Sequence, residues 1–357
     1  MMYRTRQRLR RKWLAFICLV FSMSVAFAPA ESHKIQWHQL PSVPDPVGLA
    51  GPFAGVSGGA LIVGGGANFP EVMPWDGGQK VWHDAIYVLL QPNGKWLTGF
   101  KLPHPLGYGV SASVQDGVLC AGGSNAHQHF KDVFLLTWRS GKIELKNFPP
   151  LPSPIANACG ALIKNVFYIA GGTATPTATN ALNIFLALDL NEPAPQWRQL
   201  DPWPGPGRML AVAGADDKSF YLFSGVSLSG DTKGNPVRHY LKDAYRYTPG
   251  RGWKQLADLP RAAVAAPSPA IPHENQLLIV SGDDGGLVNF EPKSAHPGFP
   301  KTILAYDVLA NRWTNDLASP ISRATVPVTF WKKMFVIPNG EARPGYRTPE
   351  VWGMKVP

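Results

Sequence analysis

The residues best suited to chemistry lie in a short segment near the C-terminus, residues 339–348. It contains one carboxylate, Glu341, and two guanidinium groups, Arg343 and Arg347. A carboxylate can accept a proton in general acid–base catalysis, and an arginine can bind a carboxylate with two parallel hydrogen bonds. The alternatives are a solvated Glu341 and a salt bridge from Arg347 to Glu341 or another loop acid.

Other chemical motifs are weaker. His127 and His129 form a His-x-His pair, but no third ligand follows at a metal-binding spacing, so we predict no metal site. The paired glycines end apolar runs without opening a helix, which does not fit a phosphate-binding loop. We see no motif for the tyrosyl–cysteine cofactor of copper-radical oxidases, and no cofactor is expected. Cys120 and Cys159 lie in strand-like runs. We expect them either to form a disulfide or to remain buried free thiols.

The positive charge of the chain is concentrated at its start. The formal net charge is +10, but six basic residues precede an apolar run from Trp13 to Ala28, and 28 basic and 24 acidic residues remain after residue 30. This arrangement is typical of a secretory signal peptide, so we expect residues 1–30 to be a leader cleaved after Ala30, or alternatively after Ala28. An uncleaved anchor is the other interpretation. The mature chain would be periplasmic or secreted, with no stable membrane span, and its small charge excess does not favour nucleic-acid binding.

An internal repeat indicates the architecture. With 36 Gly and 35 Pro in 357 residues, the composition favours short strands joined by turns. Six apolar runs end in a pair of small residues, and the last members of these pairs lie 58, 49, 53, 57 and 58 residues apart. The pairs are Gly64-Gly65, Gly122-Gly123, Gly171-Gly172, Ser224-Gly225, Ser281-Gly282 and Asn339-Gly340.

Each pair is followed by a variable loop, a third strand and, in four units, a fourth strand that opens near a tryptophan. Four strands per unit, close-packed glycines and an outer tryptophan are typical of a propeller blade, and the pattern resembles the kelch repeat. We therefore predict an all-β, six-bladed kelch-type β-propeller over residues 31–357, a single domain. The last unit stops after its third strand, so Ile35–Leu40 is expected to pair with 350–356 and close the ring.

The loops that follow the glycine pairs should share one face with the connections between blades. Several are longer than a hairpin requires, and long ordered loops on a rigid scaffold are commonly functional. Asn68, Trp75 and His83, on the long first loop, could stack on or hydrogen-bond a sugar.

Two segments carry a closer resemblance. Residues 339–348, Asn-Gly-Glu-Ala-Arg-Pro-Gly-Tyr-Arg-Thr, are similar to the Asn-Gly-Glu-Ala-Lys-Pro-Gly-x-Arg-Thr segment of the N-acetylneuraminate epimerase (sialate mutarotase) family, periplasmic six-bladed kelch proteins. Residues 44–57 resemble the family's Pro-Asp-Gly-Val-Ala-Gly-Gly-Phe-Ala-Gly stretch. In the family the Glu segment comes directly before that stretch, whereas here it lies at the opposite end. The chain thus resembles a circularly permuted branch.

The resemblance implies roles for particular residues. Glu341 would accept the proton of the anomeric hydroxyl, and Arg347 would bind the sugar carboxylate. Arg208 matches a family arginine at the start of a blade and would bind ligand or pin a loop. Tyr108 matches a family tyrosine, but the family arginine two residues before it is Leu106 here, which predicts one charge fewer in the pocket. Arg261 and Arg323 could compensate or be surface cations.

We therefore expect an exported mutarotase that interconverts the anomers of N-acetylneuraminate or a related acidic sugar. Its small-molecule partner is the sugar, and the sequence leaves the oligomeric state open. The alternative, from a different class, is a noncatalytic kelch propeller that binds glycan or protein on the same face.

Overall fold

The computed structural model describes Met1 and residues 34–357, and residues 35–356 form one compact unit. The predicted leader, apart from Met1, lies outside the described residues. No helix among the described residues is long and apolar enough to cross a membrane. The described part of the chain has two short 3-10 helices, Pro74–Asp76 and Lys293–Ala295.

The described residues form thirty β-strands. In chain order these are β1 Gln36–Leu40, β2 Phe53–Ser57, β3 Ala60–Gly64, β4 Ala67–Asn68, β5 Val81–Trp82, β6 Ala85–Leu89, β7 Leu97–Lys101, β8 Val110–Val114, β9 Gly117–Ala121, β10 Val133–Arg139, β11 Lys142–Asn147, β12 Cys159–Ile163, β13 Val166–Ala170, β14 Phe185–Asp189, β15 Trp197–Leu200, β16 Val212–Ala215, β17 Phe220–Phe223, β18 Val226–Gly230, β19 Pro236–Tyr240, β20 Ala244–Thr248, β21 Gly252–Gln255, β22 Ile271–His273, β23 Gln276–Val280, β24 Thr302–Asp307, β25 Arg312–Ala318, β26 Thr329–Trp331, β27 Met334–Pro338, β28 Glu341–Arg343, β29 Tyr346–Arg347 and β30 Val351–Lys355.

Six four-stranded antiparallel sheets confirm the predicted six-bladed propeller. Blade 1 is β2-β3-β6-β7, blade 2 is β8 to β11, blade 3 is β12 to β15, blade 4 is β16-β17-β20-β21 and blade 5 is β22 to β25. Blade 6 is β26-β27-β30 with β1 as its outer strand, and Gln36 pairs with Lys355 and Leu40 with Val351. The N-terminal strand therefore closes the ring as predicted. The hairpins β4-β5, β18-β19 and β28-β29 lie in the loops after the glycine pairs.

Apolar residues of facing blades pack into the core, and the outer tryptophans tie neighbouring blades together. The indole N–H of Trp96 donates to Pro41 O at 2.9 Å, and that of Trp197 donates to Pro149 O at the same distance. Trp253 and Trp313 make the equivalent bonds to Asp201 O and Ala257 O. Each acceptor follows the outer strand of the preceding blade, so one indole both fills apolar space and satisfies a buried donor.

Both positions of each small-residue pair adopt a positive φ, which favours glycine and is also adopted by Ser224, Ser281 and Asn339 at the first position. In blade 2, φ is +64° at Gly122 and +111° at Gly123, and a Cβ on Gly122 would lie 2.4 Å from Ile155 O. In blade 1 the equivalent pair is Gly65 and Gly66, one residue later than the sequence pattern predicted, because three glycines occur in a row and Gly64 belongs to β3. Each pair thus lets the chain turn sharply at the end of a strand. These turns lie on the same face as the connections between blades, which we call the upper face.

A closed ring of backbone hydrogen bonds surrounds the propeller axis. One residue of each blade donates its N–H to the carbonyl of the corresponding residue in the preceding blade, at 2.6 to 2.9 Å. All six have φ between +54° and +62°. The members of this axial ring are Gly51, Tyr108, Asn157, Leu210, Ala265 and Thr325. Non-glycine residues rarely adopt this conformation, and the closed ring of hydrogen bonds offsets its cost.

Candidate functional site

A cavity of about 500 Å³ lies directly above the axial ring. Five ring residues, all except Gly51, form its floor. A second and smaller space of about 80 Å³ continues along the axis below the ring. The upper volume is in the range of sites that hold small ligands.

The first residue after each glycine pair projects from the rim of this floor. These six positions, which we call the crown, are bound by backbone bridges to the residue before each ring member. The crown consists of Ala67, Ser124, Thr173, Val226, Asp283 and Glu341. Ser124, Thr173, Asp283 and Glu341 line the cavity. The propeller repeat therefore supplies equivalent positions for side chains of different chemistry around one space.

Glu341 is held by three hydrogen bonds. Its Oε1 accepts from Arg347 Nη1 at 2.9 Å and from the Gly345 N–H at 3.1 Å, and its Oε2 accepts from Thr325 Oγ1 at 3.1 Å. Thr325 belongs to the axial ring, so the floor fixes the carboxylate. The Glu341 side chain is 19% exposed. Oε2 keeps acceptor capacity toward the cavity, since a carboxylate oxygen can accept more than one hydrogen bond.

The surrounding motif residues have local roles. A Cβ on Gly345, where φ is +82°, would lie 2.7 Å from the Trp75 ring, so only glycine fits here. Trp75 also packs against Tyr346, with ring centroids 5.4 Å apart. The long loop of blade 1 thus covers the hairpin that carries Glu341 and Arg347.

Arg347 lines the same cavity and keeps unused donors. Its Nη1 binds Glu341, its Nε is buried without a partner, and its Nη2 has no hydrogen bond among the described residues. The guanidinium carbon lies 4.7 Å from the centroid of the Phe69 ring. The salt bridge considered from the sequence is present, and the guanidinium still has donors for a ligand.

Tyr108 is a member of the axial ring and lines the cavity floor. Its hydroxyl is buried and has no partner among the described residues. Its ring packs edge-on to Trp82, with centroids 6.4 Å apart. Glu341, Arg347 and Tyr108 are therefore the predicted residues that the structure brings together.

Arg208 does not line this cavity. Its side chain is fully buried, and its guanidinium makes two hydrogen bonds to Asp243, at 2.8 and 2.7 Å, and one to Ser224 O. This geometry matches the loop-pinning alternative, and we do not propose Arg208 as a sugar ligand.

Asn68 is also committed to the scaffold. Its amide nitrogen donates to Asp45 Oδ1 and Gly48 O, and its amide oxygen bonds His83 Nε2 at 2.8 Å. Asn68, Trp75 and His83 do not line the cavity. The loop of blade 1 therefore positions the site through these residues, and its contact with the cavity comes from others.

The departure at Leu106 has a different meaning from the one expected. Leu106 occupies the position in blade 2 that Arg208 occupies in blade 4, two residues before the ring member, and it is fully buried in the core. The presence of leucine instead of the family arginine at this position therefore removes no charge from the cavity. Arg261 and Arg323 do not line the cavity either, and Arg323 is buried against Glu350.

Several polar residues of the cavity were not predicted as ligands of a sugar. Lys80 and Asp283 lie on the wall, and His129 is buried there with its Nδ1–H donating to Thr173 O at 3.0 Å. Burial lowers the pKa of His129, although the hydrogen bond to Thr173 O opposes the shift. Asp283 Oδ2 accepts from the Tyr240 hydroxyl at 2.8 Å, and burial together with Asp283 raises the pKa of Tyr240 to about 12. The crown position after the small-residue pair is the sequence signal that groups Asp283 and Ser124 with Glu341.

No group of three or more His, Cys, Asp or Glu side chains in the described part of the chain is arranged to hold a metal ion. Cys120 and Cys159 are buried free thiols in blades 2 and 3. Burial raises the pKa of Cys159 to about 12 and that of Cys120 well above its usual value. Both thiols are therefore inert packing groups.

The sequence model of the N-acetylneuraminate epimerase family matches residues 22–145 and 148–291. The chain belongs to this family. The matched ranges end before the Glu341 hairpin, so the interpretation of that hairpin depends on its own motif and geometry.

Relatives of the same name agree with this assignment, and a solved structure has the same fold. N-acetylneuraminate epimerase of Haemophilus influenzae (strain PittEE) is 29% identical over 231 residues, 57% of this chain and 58% of the relative. The Salmonella typhi enzyme of the same name is 39% identical over 132 residues, 32% of this chain and 34% of the relative. The matches thus span less than two thirds of these relatives. The structure of YjhT superposes with a TM-score of 0.63 at 16% identity, covering 87% of this chain and 95% of its own, which supports the fold.

Proposed function

We propose that this chain is a mutarotase that interconverts the anomers of N-acetylneuraminate or a closely related acidic sugar. The observation that carries the proposal is the contact of Glu341 with Arg347, at 2.9 Å, on the wall of a cavity large enough for a monosaccharide. Family membership and the names of the relatives support the same chemistry.

The spacing of the two groups favours one class of acidic sugar. In a 2-keto sugar acid the carboxylate is attached to the anomeric carbon, so the anomeric hydroxyl and the carboxylate are neighbours. In a uronic acid the ring oxygen separates the anomeric carbon from the carbon that bears the carboxylate. A base and a carboxylate-binding guanidinium that touch each other suit the first arrangement.

In the proposed reaction, Glu341 takes the proton of the anomeric hydroxyl. The bond between the anomeric carbon and the ring oxygen breaks, a carbonyl forms, and the ring oxygen takes a proton from water in the open cavity. After rotation about the bond next to the carbonyl carbon, the former ring hydroxyl attacks the other face of the carbonyl and gives its proton to the hydroxide left by that water. Glu341 returns its own proton to the carbonyl oxygen, which becomes the anomeric hydroxyl again. Arg347 holds the carboxylate throughout, and Tyr108 lies under the sugar as a substrate contact.

The test is proton NMR of N-acetylneuraminate released as one anomer, with and without the protein. Wild-type protein should accelerate anomer exchange, and Glu341→Gln should bind the sugar without accelerating exchange. Binding by the wild type without exchange would instead support the noncatalytic glycan-binding alternative.

We also propose that the protein is exported, with cleavage after Ala30. The six basic residues and the apolar run that follows them support this proposal. N-terminal sequencing of protein purified from cell fractions tests it, and a mature chain beginning at Glu31 in the periplasmic or secreted fraction is expected. Full-length chain in the cytoplasmic fraction would contradict export.

A further inference from the structure

Lys80 lies in an unusual position on the cavity wall. Its ammonium group is surrounded by three aromatic rings, with Nζ 5.8 Å from the centroid of Phe69, 5.4 Å from Trp82 and 5.2 Å from Tyr108. The rings come from β5, from the segment after β4 and from the axial ring. Rings at these distances attract a cation through their electron-rich faces.

The aromatic rings leave the hydrogen-bonding capacity of Lys80 unused. An ammonium group has three N–H donors, and Lys80, which lines the cavity, makes no hydrogen bond and no ion pair with the described residues. Ordering a lysine side chain costs rotamer entropy. Here the rings have already restricted it, so a ligand that binds Lys80 meets a prepositioned cation.

Phe69 connects this lysine to the proposed active site. The same ring contacts both Lys80 and the guanidinium of Arg347. Glu341 balances the charge of Arg347, whereas no described carboxylate contacts Lys80. This wall therefore has one cation more than its own acids neutralise.

We infer that Lys80 is a specificity-determining residue that binds the carboxylate of the sugar together with Arg347. The inference rests on the proposed function for the identity of the sugar, but its own claim concerns charge selectivity at binding. Lys80 takes the part that the sequence assigned to Arg208, as a second cation of the site. Phe69, Trp82 and Tyr108 act as positioning residues for it.

The experiment compares two ligands that differ in one charge, N-acetylneuraminic acid and its methyl ester. Isothermal titration calorimetry gives the affinity of each for wild type, Lys80→Gln, Lys80→Arg and the control Lys142→Gln. Lys142 is an exposed lysine at the start of β11, so its variant removes the same charge far from the cavity. Far-UV circular dichroism and the melting temperature of each variant check folding.

We expect Lys80→Gln to weaken binding of the acid about ten- to a hundredfold and to leave the ester within about twofold. Lys80→Arg should recover much of the acid affinity, and Lys142→Gln should match the wild type. Equal losses for acid and ester would make Lys80 a packing residue and overturn the inference, as would an unchanged affinity for the acid in a folded Lys80→Gln variant.

The outcome is separable from the proposed function. If the wild type prefers the acid in a Lys80-dependent way but does not accelerate anomer exchange, the mutarotase proposal fails and the assignment of Lys80 stands. If exchange is fast but acid and ester bind equally well, the mutarotase proposal stands and the assignment of Lys80 is wrong.

Discussion

Two arginine–carboxylate pairs in this propeller have the same chemistry and different surroundings. In blade 4, Arg208 and Asp243 make two parallel hydrogen bonds at 2.8 and 2.7 Å, and the arginine side chain is fully buried between Trp203 and Tyr245. On the blade 6 hairpin, Arg347 and Glu341 share one hydrogen bond at 2.9 Å and line the cavity. The first pair joins parts of one blade, whereas the second leaves donors and acceptors directed at an open space.

The difference shows what separates a structural ion pair from a candidate active site. Both arginines carry a family resemblance, and both lie near the upper face. What distinguishes them is how many of their hydrogen-bonding groups the protein itself satisfies, and whether a ligand-sized space lies beside the remaining ones.

The largest expected effect is on the free energy of unfolding. It comes from breaking the pair formed by Arg208 and Asp243 in blade 4. Arg208→Leu removes the partner of a largely buried Asp243, which should lower the free energy of unfolding by about 3–5 kcal/mol. Urea denaturation followed by tryptophan fluorescence measures this change.

The control copies apolar positions of neighbouring blades. The double variant Arg208→Leu, Asp243→Ile places at these sites the residue types found at Leu106 of blade 2 and Ile184 of blade 3, which occupy equivalent backbone positions. It should recover most of the loss, because no buried charge is left unpaired. A single variant as stable as the wild type would show that the pair contributes little.

The next largest expected effect is on the rate of anomer exchange. It comes from a change in the pair formed by Glu341 and Arg347. Glu341→Gln keeps the size of the side chain but cannot accept the anomeric proton, so anomer exchange should slow by about 10²-fold or more. Binding of N-acetylneuraminate should persist, because the glutamine oxygen can still accept from Arg347, and the positive charge of Arg347 is no longer neutralised by the side chain at this position. Line-shape NMR measures exchange, and Asp283→Asn is the matched variant at the neighbouring crown position. Full activity of Glu341→Gln with loss in Asp283→Asn would move the base to blade 5.

The sequence predicted the parts of this comparison that depend on local patterns. A pair of small residues that ends in glycine marks each blade because both φ values are positive, and the Glu341 motif is contiguous, so both patterns are visible in the sequence. The sequence did not show which carboxylates and hydrogen-bond partners surround each arginine. Arg208 and Asp243 are 35 residues apart, and whether they meet depends on how the strands β16 to β19 between them fold.

The axial ring and the surroundings of Lys80 could not be predicted for the same reason. Ring members include Tyr108, Leu210 and Thr325, which share no side-chain property, because tertiary backbone hydrogen bonds impose their positive φ. The three aromatic residues around Lys80 come from two blades. Only the assembled propeller brings them together.

A third prediction sharpens the contrast between the two arginines. Arg347→Ala should weaken binding of N-acetylneuraminate about ten- to a hundredfold, because a charge-assisted hydrogen bond is lost. Its effect on the free energy of unfolding should be well below that of Arg208→Leu, since Arg347 and Glu341 share one hydrogen bond and Glu341 keeps its bonds from Thr325 Oγ1 and the Gly345 N–H. Calorimetric titration and urea denaturation of the same preparations test both halves. A loss of stability as large as that of Arg208→Leu would make Arg347 a structural residue.

The smallest expected effect is on the pH dependence of the free energy of unfolding. It comes from His129, a residue of the cavity wall that has no ion pair among the described residues. Burial lowers the pKa of His129, so the folded protein resists protonation that the unfolded chain accepts near its ordinary value of 6.5. The free energy of unfolding should therefore fall as the pH drops below about 6.5, and His129→Gln should reduce this dependence while the exposed His127→Gln leaves it unchanged. Urea denaturation at pH 7.5, 6.5 and 5.5 measures the difference. Identical pH profiles for the wild type and His129→Gln would mean that water in the cavity solvates the imidazolium, and the cavity wall would then be more polar around His129 than its buried position indicates.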